Sequence, residues 1–122
     1  MQRSLVICSV ALSLTACQPS LEKQLVGEWL SGCSIDTCTI TTLKADRTFS
    51  EKFDEKDSSD SYSGTWRVEG DQLIMHVTWA DKVLQDIVGK NMRVVISEFH
   101  HDSFVGALAD DRRKSQPWKR LH

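Results

Sequence analysis

Three adjacent residues, His100, His101 and Asp102, are the one place in this 122-residue sequence where two histidines and a carboxylate stand side by side. Imidazole and carboxylate groups together could bind a metal ion or transfer protons. Adjacent residues on a strand point to opposite faces, however, and a polar run between two apolar segments is more typical of a hairpin turn. The serines and histidines match neither a Gly-x-Ser-x-Gly turn nor a triad order. The sequence therefore predicts no enzyme, no cofactor and no metal site.

A second group of acidic residues, Asp54, Asp57 and Asp60, lies in a polar run. Carboxylates at this spacing could be interpreted as a calcium-binding loop. They lack the spacing of an EF-hand and the glutamate at its twelfth position. We therefore expect a solvated loop.

The N-terminal segment has the layout of a secretory signal, with Arg3, a short apolar run and then small residues. The apolar run is shorter than the roughly 20 residues that a membrane-spanning helix needs. The sequence Leu14-Thr15-Ala16-Cys17 resembles the lipobox of bacterial lipoproteins. This resemblance implies cleavage before Cys17, acylation of Cys17 and attachment to the membrane through lipid. Because Gln18 rather than aspartate follows, it also implies the outer membrane, facing the periplasm.

The implied processing divides the chain into three parts: a signal peptide at 1–16, a lipidated tether at 17–24 and a β domain at 25–122. Cys8 then leaves with the signal and Cys17 carries lipid. Cys33 and Cys38 remain as the only pair in an oxidising compartment, so we expect them to form a disulfide. A redox-active pair or half of a metal site is the alternative, but the spacing is not Cys-x-x-Cys.

Charge gives little information about function. The formal net charge is −2 for the whole chain, and the loss of Arg3 makes the mature part slightly more acidic. A mildly acidic surface argues against nucleic acid as a partner.

Most of the mature sequence has the period-two pattern of strands separated by turn residues. Leu73, Met75, Val77 and Trp79, for example, form one apolar face. A helical turn with Ser20 as its N-cap is expected at 20–26, a short helix or loop at 80–91 and a polar loop at 110–115. Strands are predicted at 25–30, 39–44, 48–54, 61–68, 73–79, 92–99, 103–109 and 116–121. This pattern predicts an all-β antiparallel meander closed into a small barrel or half-barrel.

Several short motifs resemble the small lipocalin-like domains of bacterial lipoproteins. They are Gly27-Glu28-Trp29, Ala45-Asp46-Arg47-Thr48-Phe49, Gly64-Thr65-Trp66, Gly70-Asp71-Gln72-Leu73 and Trp118-Lys119-Arg120. The resemblance covers most of residues 25–121. It implies that Trp29 plugs one end of the barrel and that Arg120 packs over its ring by a cation–π contact.

The interior predicted from this pattern is rich in large rings. Candidate interior residues are Phe49, Phe53, Trp66 and Met75. The wider inward-facing set adds Trp29, Leu73, Val77, Val94, Ile96, Phe104 and Leu108. A barrel of about eight strands is just wide enough to be filled by side chains or to hold one small ligand. We therefore expect any cavity to be small and the interior to be mostly a packed core, with binding at the open rim or on the loops near 54–61 and 80–91.

Two functions agree with these features. The first is a non-catalytic binding module for a small hydrophobic ligand or an envelope component. The second is an envelope interaction protein, such as an inhibitor or assembly factor, that uses its surface loops.

Overall fold

A computed structural model of the chain describes residues 20–35, 37–55 and 59–121. Within these ranges the chain forms one α-helix, eight strands and one 3₁₀ helix. In chain order they are α1 (Leu21–Leu25), β1 (Gly27–Ser31), β2 (Thr37–Leu43), β3 (Thr48–Glu55), β4 (Ser59–Glu69), β5 (Gln72–Ala80), the 3₁₀ helix (Lys82–Ile87), β6 (Asn91–Ser97), β7 (Ser103–Leu108) and β8 (Asp111–Arg120).

The eight strands form a closed antiparallel barrel in which each strand pairs with the next along the chain. The ladder between β1 and β8, which we call the seam, closes the barrel. It pairs Trp29 with Arg120, Leu30 with Lys119 and Ser31 with Trp118. The predicted all-β antiparallel meander is confirmed, and it is a closed barrel rather than a half-barrel.

A β-bulge between β4 and β5 changes which side chains enter the barrel. Gly64 pairs with Val77, whereas Ser63 pairs with Trp79, so one residue of β5 is left over between them. As a result Ala80 is buried and Trp79 is 52% exposed. The prediction that Trp79 shares the buried face of Val77 is wrong, because the extra residue reverses the alternation.

The turn between β2 and β3 is stabilised by a side chain. Asp46 Oδ1 accepts hydrogen bonds from the backbone nitrogen of Thr48 at 3.0 Å and from its hydroxyl at 2.6 Å. Arg47 adopts a φ of 73°, in the left-handed region that non-glycine residues rarely occupy. The same residue forms an ion pair with Glu22 of α1 and lies 5.7 Å from the centre of the Trp66 ring.

Helix α1 packs over one end of the barrel, which we call the closed end. Ser20 is the N-cap of α1, as predicted, and its hydroxyl accepts a hydrogen bond from the Lys23 backbone nitrogen. Leu25, the last residue of α1, is fully buried in the core. The helix therefore lies on the barrel, although residues 21–24 were predicted to belong to the tether.

The opposite end of the barrel, which we call the open end, is where β1, β3, β5 and β7 terminate. The Cys33–Cys38 disulfide lies at this end, which confirms the predicted pairing. The segment 80–91, predicted as a short helix or loop, contains the 3₁₀ helix here. Leu84 and Ile87 of that helix pack against the core.

Strand β8 differs most from its prediction. Residues 110–115 were expected to form a polar loop, but β8 begins at Asp111. Polar side chains do not prevent strand pairing, because ladder hydrogen bonds join backbone groups, and Asp111 and Ser115 both pair with β7. Ala107 pairs with Ser115 and Leu108 with Asp111, a shift in register. Leu108, predicted to point inward, is 36% exposed at this irregularity.

Candidate functional site

The half of the barrel toward the open end encloses a cavity of about 170 Å³. All eight strands contribute to its wall, so it lies inside the barrel rather than between surface loops. Its lining residues are Ser31, Thr39, Glu51, Phe53, Tyr62, Met75, Met92, Val94, Gly106, Ala107, Leu108, Lys114, Gln116 and Trp118. Leu108, Lys114 and Gln116 are exposed and form its mouth.

The most unusual group in this cavity is the carboxyl of Glu51. The residue is only 5% exposed, and it lies on β3 between the inward-facing Phe49 and Phe53. Its Oε2 accepts a hydrogen bond from Thr41 Oγ1 at 2.9 Å, and its Oε1 accepts a short one from the Tyr62 hydroxyl. Among the described residues, no Lys, Arg or His forms an ion pair with it.

Burial controls the protonation of both partners in this pair. Removal from water raises the pKa of the Glu51 carboxyl, and the hydroxyls of Tyr62 and Thr41, which lower it, do not compensate. Burial also raises the pKa of the Tyr62 hydroxyl, and the neighbouring Glu51 raises it further. Tyr62 therefore stays protonated and acts as a hydrogen-bond donor.

Trp118 forms another part of the wall and leaves one donor without a partner. Its ring stacks on Phe104, with centroids 5.1 Å apart. Its indole Nε1 is buried and has no hydrogen-bond partner among the described residues. Gly106 makes room for the ring, because a Cβ at that position would lie 2.7 Å from Nε1. The indole N–H thus packs against backbone.

The aromatic pair predicted from the lipocalin resemblance lies at the closed end. The Arg120 guanidinium carbon is 4.2 Å from the centre of the Trp29 ring. Arg120 also donates hydrogen bonds to the carbonyl oxygens of His101, Val26 and Gln24 at 2.9, 2.9 and 2.7 Å. The Trp29 indole nitrogen donates to the Leu25 carbonyl at 2.8 Å. These bonds tie β8 and α1 together over the buried ring.

The four candidate interior residues divide between the two halves of the barrel. Phe53 and Met75 line the cavity. Phe49 and Trp66 are buried but not among its lining residues, and Trp66 donates to the Lys44 carbonyl at 2.9 Å near the closed end. The expected packed interior is therefore correct for one half only. Cys17 lies outside the described residues.

The titratable cluster at His100 and His101 lies in the loop between β6 and β7, at the end of the barrel opposite the mouth of the cavity. Both histidines are exposed, and the backbones of His100 and Ser103 hydrogen-bond to each other, as in a turn. His101 Nε2 is 3.6 Å from Asp102 Oδ1. In the described ranges, no group of three or more His, Cys, Asp or Glu side chains could hold a metal ion. Asp57, from the second acidic group, lies outside them.

No protein-family model matches the sequence, and no curated protein matches it. Among the described helices, none has the length and apolar character to cross a membrane. Because one fold can carry many functions, the function has to be argued from the cavity itself.

Sequence interpretation missed Glu51, although a signal was present. Phe49, Glu51 and Phe53 are two residues apart and must share one face of β3. If Phe49 and Phe53 point into the barrel, the carboxyl of Glu51 must point into it as well. A charged residue in such a position is rarely buried without a function or a partner.

Proposed function

We propose that this protein is a non-catalytic binding module of the cell envelope that takes one small, mainly apolar ligand into the open end of its barrel. The observation that carries the proposal is the cavity of about 170 Å³, with apolar walls and a few polar groups. Small-molecule sites usually combine these features. An engineered cavity of about 150 Å³ in another protein binds benzene, so a ligand with a single ring fits this volume.

Benzyl alcohol, a neutral one-ring probe, tests this proposal. Calorimetric titration of the folded protein should give one site with a Kd of about 1 mM or tighter. Phe53→Trp should weaken binding about fivefold or more, because a larger ring takes part of the cavity. Lys52→Trp adds the same indole at an exposed position of β3 and should leave the Kd unchanged. Equal binding by the wild type and Phe53→Trp would place the probe elsewhere.

We further propose that the module is anchored to the outer membrane through lipid on Cys17. The support is the Leu-Thr-Ala-Cys sequence behind a short apolar run and the absence of aspartate after it. Because α1 lies on the closed end, an anchor preceding it would leave the open end directed away from its point of attachment. This orientation would keep the cavity accessible from the periplasm.

Cys17→Ser tests the anchor in the host cell. The variant should move from the membrane fraction to the soluble fraction and keep the mass of the uncleaved precursor, since acylation of that cysteine is the first step. Cys8→Ser, within the proposed signal peptide, is the matched control and should still yield a membrane-bound protein. A Cys17→Ser variant that keeps its mature mass and stays with the membrane would contradict the anchor.

A second candidate function is an envelope interaction protein that binds a partner through the open end. The exposed large apolar side chains in the described part of the chain all lie at this end: Ile35, Trp79, Val83, Val88 and Leu108. Clustered apolar side chains are typical of interaction sites. The benzyl alcohol titration separates the two candidates, because a partner bound by the rim does not require a cavity that takes ligand.

A further inference from the structure

The cavity contains one buried acidic group, and no cation lies beside it among the described residues. Glu51 is the single acidic residue among the lining residues, and Lys114, the one basic residue there, is 71% exposed and lies 4.0 Å from Asp111. A buried carboxylate without a cation is strongly disfavoured, and apolar replacements of such groups often stabilise a protein. Stability of the barrel therefore does not explain why a carboxyl is placed here.

The carboxyl is already held in position for a ligand. Thr41 and Tyr62 each donate one hydrogen bond to a different carboxyl oxygen. A carboxylate oxygen can accept two hydrogen bonds, so each oxygen keeps one free acceptor site. Phe49 and Phe53 pack on the Tyr62 ring, with centroids 6.0 and 5.7 Å away, and fix its orientation. The ionised Glu51 carboxyl therefore has room for one more hydrogen-bond donor at each oxygen.

The rest of the wall suits a cation with an apolar body. Phe53, Tyr62 and Trp118 place aromatic rings around the cavity, and ring faces attract ammonium groups. Met75, Met92 and Val94 supply apolar surface. The buried Trp118 Nε1 has almost no accessible surface, so its N–H is not presented to an anionic ligand in the cavity.

We propose that the ligand of the cavity is a small organic ammonium ion with an apolar body of about one ring, and that its nitrogen pairs with Glu51. This assignment rests on the proposed ligand-binding function and adds the chemical class of the ligand. It also assigns to Glu51 the role of the residue that selects for positive charge.

The assignment predicts how binding depends on pH. Because burial raises the pKa of the Glu51 carboxyl, the empty cavity holds it in the protonated form until the pH exceeds that pKa. Pairing with an ammonium ion requires the carboxylate, so binding below that pKa releases the Glu51 proton to solvent. The affinity should therefore rise with pH. The groups facing Glu51 from β2 and β4 are Thr41 and Tyr62, and Lys114 lies at the mouth of the cavity.

The test compares three probes of similar size on the folded protein: benzylamine, benzyl alcohol and benzoate. At about pH 8 benzylamine should bind at least about tenfold more tightly than benzyl alcohol, and benzoate least. The affinity for benzylamine should increase from about pH 5 to about pH 8, while that for benzyl alcohol stays constant. Glu51→Gln should remove the advantage of benzylamine over benzyl alcohol. Glu69→Gln, at an exposed glutamate of β4, should change neither.

The outcomes distinguish this inference from the function on which it rests. Equal affinities for amine and alcohol, tighter binding of benzoate, or an amine preference retained in Glu51→Gln would overturn the assignment and leave the binding function intact. Failure of all three probes to bind would overturn both. The comparison of probes on the wild-type protein decides the matter even if Glu51→Gln does not fold.

Discussion

Replacing Trp29 by alanine is expected to lower the free energy of unfolding by about 3 to 5 kcal/mol. The Trp29 ring is fully buried at the closed end, and Phe104 contacts it edge-on with centroids 4.8 Å apart. Its removal leaves a large void under α1 and takes away the surface on which the Arg120 guanidinium rests. This loss is a large share of the stability of a small domain. Chemical denaturation followed by circular dichroism measures it.

Trp79→Ala is the matched control, since Trp79 is half exposed at the other end of the barrel. It should change the free energy of unfolding by less than about 1 kcal/mol. If the two variants unfold at the same denaturant concentration, Trp29 does not close the barrel.

A second large effect is expected from Gly64→Ala, with a loss of about 3 kcal/mol or more. A Cβ at position 64 would overlap the carbonyl oxygen of His76 and lie 2.9 Å from its carbonyl carbon and 3.0 Å from the Thr78 nitrogen. Real Cβ atoms essentially never come within 3.0 Å of a heavy atom outside their own residue and its two chain neighbours. The obstacle is backbone at the β4–β5 bulge, so no change of rotamer can relieve it.

Thr65→Ala is the control for this variant, because Thr65 follows Gly64 on β4 and its side chain is exposed. It should lower the melting temperature only slightly, whereas Gly64→Ala should lower it by many degrees or prevent folding. Similar melting curves for the two variants would show that β4 and β5 can separate at the bulge at little cost.

The fold could be predicted from the sequence because most ladders are hairpins between adjacent segments with period-two patterns. The errors occur where the ladder is irregular. Strict alternation placed Trp79 on the apolar face of β5 and Leu108 in the interior, and each lies next to a shift in register. A β-bulge cannot be recognised in the apolar pattern of one strand, because it depends on how that strand pairs with its neighbour. The polar run at 110–115 was mispredicted for a related reason, because it contains the shift in register of β8 against β7.

The site was harder to predict than the fold. Phe53 and Met75 were correctly placed inside, but periodicity cannot show whether facing side chains fill the space between them. Here the small Ser31 lines a gap, whereas the space beside Gly106 is taken by the Trp118 ring. The contact of Glu51 with Tyr62 joins neighbouring strands across the β3–β4 connection, and only the three-dimensional register brings them together.

The cavity forms only when the seam joins the first strand of the barrel to the last. Ser31 and Trp118 form the last of the three seam pairs, and both also line the cavity. If the seam opens, this part of the wall separates, so no single hairpin or fragment of the barrel can retain the site. A ligand that binds only the closed barrel would therefore stabilise it over every partly opened form. The free energy of this stabilisation grows with the ligand concentration relative to its Kd. Occupancy would thus protect the two termini of the domain from proteases, although the ligand touches neither of them.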